Sequence, residues 1–286
     1  IMLGDLGYGI FIILAALLVL DRLAGYSESE DYFLFKRSII VSSITGIIIG
    51  IISGAFLGNV FEIIGIKSAI MSLFGVLSKI FNDPLLFLEA ALVIGLIHVN
   101  LAHVIALIKY IKLRDTSNAL SEIGLFIAEI FGIPYILYTI LHVDIPWMHG
   151  GIAQLFLYGS LAGVFLIIVG VIRSIGGLGV LMWIFNITGL LGDVLSYSRL
   201  AGVGLATVYL GASFNIMALM VYNGVQNTLP GIPGIILGII AAILVAGFGH
   251  FINTALSALG AFIHSIRLCF VEFLSKFYEG TGYPFE

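Results

Sequence analysis

Two arginines stand where arginine is costly. Arg199 and Arg267 lie inside long apolar stretches, and an ionisable group there costs about 2.5–3.5 kcal/mol on insertion scales. A guanidinium keeps its proton in proteins, so the charge is permanent. Arg199 is too far from both ends of its stretch to snorkel along an upright helix, whereas Arg267 lies nearer one end. A fixed cation at mid-membrane favours the ionised form of a nearby carboxylic acid and so drives proton release from it. It also blocks ions from a short circuit. The plainer alternative for Arg199 is an ion pair that holds helices together. For Arg267 it is pairing or anchoring at the interface.

Polar residues accompany both arginines. On a helical wheel of about 100° per residue, Asn186, Gly189, Ser196, Tyr197 and Thr207 fall within about 60° of Asp193. Arg199 falls about 120° away, beside Thr188, Gly192, Ala206 and Leu210. A face of small residues lets another helix approach closely. In the last stretch Asn253, Thr254, Ser257, His264 and Glu272 fall within about 60° of His250, with Arg267 at the edge of the stripe. Such a column suits a water-filled ion path; the alternative is polar glue between helices. Glu272 and Lys276 also have the spacing of a helical ion pair. Glu89, His98 and His103 in the third stretch, with Glu122 and Glu129 in the fourth, either line a path or satisfy one another. His142 and His149 flank an outer loop whose Trp147 reads as an interfacial anchor.

No HExxH, phosphate-binding loop or nucleophile elbow is present, so nothing in the sequence suggests hydrolytic chemistry on this chain. No metal or other cofactor is implied. Cys269 is the one cysteine, so no internal disulfide forms, and it reads as a small apolar residue.

The elements that hold these residues must be membrane helices. Apolar residues make up 60% of the 286, charged residues 10%, and mean hydropathy is +1.18. A soluble domain carries about 25% charged residues. Seven stretches are candidates to span a membrane: Leu3 to Leu20, Ser38 to Leu57, Pro84 to Ile108, Ser121 to Leu141, Gly151 to Ile172, Gly179 to Tyr222 and Gly234 to Tyr278. The last two are about twice the ~20 residues that cross a bilayer. Neither run carries an internal proline, so long, steeply tilted helices are expected, side by side and concave toward a partner. The expected fold is all-α and polytopic, one domain over residues 1–286, with a further amphipathic interfacial helix from Phe61 to Phe81. Odd-numbered loops hold seven Lys and Arg against two in the even-numbered loops. Odd loops and the C-terminus are therefore expected in the cytoplasm, within a multi-pass cell-membrane protein.

Three segments resemble the membrane part of the ion-translocating stator subunit (subunit I, or a) of archaeal and V/A-type rotary ATPases. They are Leu191-Gly-Asp-Val-Leu-Ser-Tyr-Ser-Arg-Leu200, then Gly249-His-Phe-Ile-Asn-Thr-Ala-Leu-Ser-Ala-Leu-Gly-Ala-Phe-Ile-His-Ser-Ile-Arg-Leu268, and its continuation Phe270-Val-Glu-Phe-Leu-Ser-Lys-Phe-Tyr-Glu-Gly280. Met2-Leu-Gly-Asp-Leu-Gly-Tyr-Gly9 resembles the family's first membrane motif. The resemblance implies that a cytoplasmic N-terminal domain and the first of eight spans precede this segment. It implies that Arg199 faces the rotor ring and that Arg267 assists it. It also implies two ion half-channels, with Asp193, Ser196, Tyr197, Thr207, His250, Asn253, Thr254, Ser257, His264 and Glu272 as candidates to line them. The implied partners are the ring of proteolipid subunits, peripheral-stalk subunits through the cytoplasmic domain, and lipid; nucleic acid is not one. Thr207 and Ser257 stand where eukaryotic members carry histidine and glutamate, and Phe185 where they carry an acid. The implied function is ion-coupled ATP synthesis or hydrolysis, with proton or sodium ion left open and the nucleotide sites on other subunits. The alternatives are a secondary ion-coupled transporter, which lacks support from any inverted repeat, and a structural scaffold, which leaves Arg199 unexplained.

Overall fold

A computed structural model describes residues 2–23, 29–139, 142, 148, 150–278 and 280. Trp147 and His149 lie outside the described residues. The described residues are helical almost throughout: α1 Leu6–Leu18, α2 Leu20–Leu23, α3 Glu30–Ser53, α4 Val60–Ile63, α5 Lys67–Phe74, α6 Val76–Asn82, α7 Pro84–Lys112, α8 Thr116–Thr139, α9 Gly151–Ile175, α10 Gly179–Ser196, α11 Ser198–Thr228 and α12 Ile232–Arg267. Among them, five continuous helical stretches are long and apolar enough to cross a membrane. One of these, Gly151–Thr228, contains both the fifth and the sixth stretch read from the sequence. A three-residue 3-10 turn, Gly176–Leu178, joins the two. The chain is a polytopic helical membrane protein with two long C-terminal helical runs.

The differences from the sequence reading have local causes. Helix α1 holds 13 residues, about 20 Å at the α-helical rise, shorter than the first stretch expected. Helix α3 begins eight residues before Ser38, because Ser29 caps it and Glu30 and Asp31 suit the positive end of its dipole. Lys36 and Arg37, read as loop residues, thus ride on its early turns. The expected interfacial helix is three short ones. Gly65 and Gly75 take φ of 81° and 52°, a left-handed backbone that ends a helix.

The sixth stretch is not one helix. It changes at Tyr197, where ψ of −12° and the bond from Leu200 N to Tyr197 O (2.9 Å) form a tighter i→i+3 turn. The flanking Ser196 and Ser198 are poor interior helix formers. The seventh stretch keeps α geometry for 36 residues and then becomes a π-helix over Leu268–Phe273 and a 3-10 turn over Leu274–Lys276. At about 1.5 Å per residue α12 is ~54 Å long, well beyond the ~30 Å hydrocarbon core.

The chain divides into two compact units, Ile1–Leu92 with Tyr197–Ile266, and Val93–Ser196 with Arg267–Glu286. In the first, α1 packs on α3, and buried Phe87 fills the space beside Gly204. In the second, α8 and α9 pack through Gly124 and Gly163, whose surfaces meet backbone. This is the small-residue contact that brings membrane helices close.

Candidate functional site

In the first unit the polar positions of α11 and α12 converge on the N-terminal motif. Asp5 is fully buried. It caps α1 through Gly7 N (2.8 Å) and Tyr8 N (3.2 Å), and accepts from Leu57 N (3.0 Å) and Gly58 N (2.8 Å). Four backbone donors on one carboxylate are strong, charge-assisted bonds. They fix the entry to α1 against the segment after α3, and so fix Tyr8.

Tyr8 is the hub. Asn253 Nδ2 donates to Tyr8 Oη (2.8 Å) and to the Thr207 carbonyl (2.9 Å). The carbonyl only accepts, so the amide orientation is set and both its protons are engaged. Tyr8 Oη lies 2.8 Å from His250 Nδ1, and donates to it when the imidazole is neutral. His250 Nε2 donates to Asn215 Oδ1 (2.9 Å). Asn215 Nδ2 in turn donates to the Leu57 carbonyl (2.8 Å) and Asn59 Oδ1 (2.9 Å). At the other end Ser257 Oγ donates to Asn253 Oδ1 (3.3 Å) and lies 2.9 Å from Thr207 Oγ1. Thr254 Oγ1 donates back to the His250 carbonyl (2.7 Å). Thr207, Asn215, Asn253, Thr254 and Ser257 are all buried. A cavity of about 410 Å³ touches this network at Tyr8, His250 and Thr254.

Arg199 is half-buried in the first turn of α11, and His264 is half-buried on α12. At the i+3 and i+4 spacings that follow Arg199, Gly202, Ala206 and Leu210 are exposed. None of the described residues lies within 4 Å of where a Gly202 side chain would start. Tyr197 is buried at the break.

The second unit holds the remaining candidates. Asp193 forms an ion pair with Lys276. Arg267 is exposed, and its Nε lies 3.9 Å from Oε1 of fully buried Glu272. Ser196 is half-buried at the end of α10. His98 stacks on Phe273, with ring centroids 4.3 Å apart and planes within 6°. His103 Nδ1 meets Glu122 Oε2 at 2.7 Å. Among the described residues no group of three His, Cys, Asp or Glu is arranged to hold a metal ion.

Asp5, Tyr8, Asn59 and Asn215 do not stand out as site residues in the sequence. Asp5 and Tyr8 lie in the N-terminal motif, but nothing in one sequence says that residue 8 meets residue 250. Asn215 is the available signal, as an amide deep within a membrane stretch.

The family model described as the V-type ATPase 116 kDa subunit family matches residues 185–286. That region carries both arginines and the polar stripes. The chain is 33% identical over 287 residues to the A-type ATP synthase subunit I of Pyrococcus abyssi, covering 100% of this chain and 40% of the relative. It is 29% identical over 312 residues to that of Methanocaldococcus jannaschii, covering 100% and 42%. It is 25% identical over 304 residues to the V-type ATP synthase subunit I of Borreliella burgdorferi, covering 99% and 46%. The chain thus spans less than half the length of these relatives.

Proposed function

Since this chain belongs to the V-type ATPase 116 kDa subunit family, we propose that it is the membrane stator of a rotary ATPase, with two ion half-channels against a ring of proteolipid subunits. The observation that carries the proposal is Arg199 leading an exposed Gly202–Ala206–Leu210 stripe on α11. Small side chains allow a ring helix to come close, and the guanidinium then favours the ionised form of a ring carboxylate. An ion enters one half-channel, neutralises a ring carboxylate, travels with the ring and leaves by the other. Arg199 separates the two routes and forces release; Arg267 assists.

On the outer side, the network from Asn59 through His250 and Tyr8 to Ser257 supports a polar route in place of the acid–histidine relay of eukaryotic members. The positions that differ from those members, Thr207 and Ser257, touch each other at 2.9 Å. Two hydroxyls thus stand where an ionisable pair stands elsewhere. Side-chain amides do not readily pass protons, so Tyr8, His250 and the cavity beside them carry the exchange. On the second unit Asp193, Ser196 and Glu272 serve the inner route.

Each charge crossing a potential contributes about 2.3 kcal/mol per 100 mV, so several ions accompany each nucleotide. Peripheral-stalk subunits bind through the cytoplasmic domain, and the C-terminus faces the cytoplasm. Purification of the native complex tests the assignment. Catalytic and proteolipid subunits should co-purify with the full-length protein in fixed ratio. A homogeneous complex without them would contradict the proposal.

A further inference from the structure

Glu122 and Glu129 lie seven residues apart on α8, on one face, and His103 of α7 meets the first of them. Its Nδ1 is 2.7 Å from Glu122 Oε2, and it is close enough to Glu129 to interact electrostatically. Asn100 supports Glu129 with a hydrogen bond. His103 and Glu129 are 6% and 9% exposed. Yet His103 Nε2 and Glu129 Oε1 are buried with no hydrogen-bond partner among the described residues. A pair kept only for structure would have these atoms saturated, because an unmet buried polar atom is costly. The arrangement does not suit a metal ion. Its chemistry is proton transfer, since imidazole accepts at one nitrogen while releasing from the other.

A cavity of about 410 Å³ leads to this group, lined by Glu122, His103, Tyr110, Asn118, Asn186 and Lys276. It is large enough for water. Asn118 lies in the first turn of α8, bonded to Asp115, beside the basic residues Lys112 and Arg114. The loop rule places that end in the cytoplasm. Glu129 lies about 10 Å further along α8.

We infer that Glu122, His103 and Glu129 form a proton relay from the cytoplasmic cavity toward mid-membrane. The relay rests on the ion-translocating role proposed for the chain. A proton from the cavity protonates Glu122. The Glu122 O–H bond then breaks as N–H forms at His103 Nδ1, giving an imidazolium. The Nε2–H bond then breaks as an O–H bond forms on a water between the two groups, and that water gives up one of its own protons to Glu129. One proton has moved from Glu122 to Glu129, and a flip of the imidazole resets the histidine. Tyr110 and the Lys276–Asp193 pair are the other titratable groups about the cavity. They set its field but stand outside the relay.

The test uses the complete complex in proteoliposomes, with synthesis driven by an imposed potential and pH difference. Glu122→Gln, His103→Gln and Glu129→Gln should each lower synthesis about tenfold or more with subunit content unchanged. Arg199→Ala is measured in parallel. If Arg199→Ala abolishes synthesis while all three relay variants match the wild type at every cytoplasmic pH, the relay is wrong and the stator reading stands. If Arg199→Ala synthesises normally, the stator reading itself fails. Should Glu122→Gln not assemble, Glu122→Asp carries the same question. Its shorter reach should slow turnover and shift the dependence on cytoplasmic pH, and an unchanged profile overturns the relay. Synthesis driven by sodium ion and insensitive to protons overturns it as well.

Discussion

At the residue scale the site depends on hydrogen bonds with fixed direction. Tyr8→Phe removes the hydroxyl that joins Asn253 to His250. It leaves a buried amide proton and an imidazole nitrogen unmet, at a cost of about 1–3 kcal/mol. The full-length subunit should lose that much stability in a thermal melt, and coupled synthesis should fall; an unchanged melt would show that the network is not formed. Thr207 and Ser257 give a sharper prediction, because they touch. Ser257→Glu alone buries an acid without a partner and should cost about 3 kcal/mol or more, whereas adding Thr207→His should recover much of the loss. Additive losses in a double-mutant cycle would place the two side chains apart. Outside the membrane, Asp21 is paired with Lys36 at 2.7 Å and accepts from Tyr32. Lys36 first, and Tyr32 next, hold its carboxyl below the usual carboxylate range. The folded pKa is depressed, so the stability it adds is present above the ordinary value of about 3.9 and is lost as pH falls through the lower folded one. Acid unfolding of the Lys36→Met variant should begin at higher pH than that of the wild type.

At the element scale two glycines on different faces should behave oppositely. A side chain at Gly163 collides with the backbone of Ala128, so Gly163→Leu should destabilise the α8–α9 pair by about 1–3 kcal/mol or prevent its packing. Gly202 faces open space. Gly202→Leu should therefore leave the melt within about 0.5 kcal/mol of the wild type while lowering coupled synthesis, because the stripe is proposed to meet the ring. A neutral effect on both readouts would remove α11 from that contact. The helices and most of their limits are legible in the sequence, since apolar length is a strong signal. The change at Tyr197 and the π segment after Arg267 are not, because neither needs a proline. A wheel drawn through residues 186–207 carries one register across that change, so its positions compare only within α10 or within α11. The polar stripe from His250 to Ser257 is readable from spacing. Its partners Tyr8 and Asn59 are not, because they come from remote segments joined only by folding.

At the scale of the whole molecule the proposed stator role predicts an orientation and a partner. In a Cys269→Ser background, a cysteine placed at Ser68 should react with an impermeant maleimide from outside intact cells. One placed at Ser117 should react only after the membrane is opened, and the reverse pattern would invert the topology. The assignment stands or falls on Arg199 as the permanent charge that separates two ion routes. The decisive measurement is Arg199→Ala in the complete complex, reconstituted in vesicles, with potential-driven ATP synthesis and subunit content measured on the same samples. Normal subunit content with synthesis abolished is expected. Arg199→Lys should be poor as well, since an ammonium loses its proton more readily in a dry site and lacks the guanidinium fork. Near-normal synthesis by Arg199→Ala, with the ring present, would refute the role of the charge.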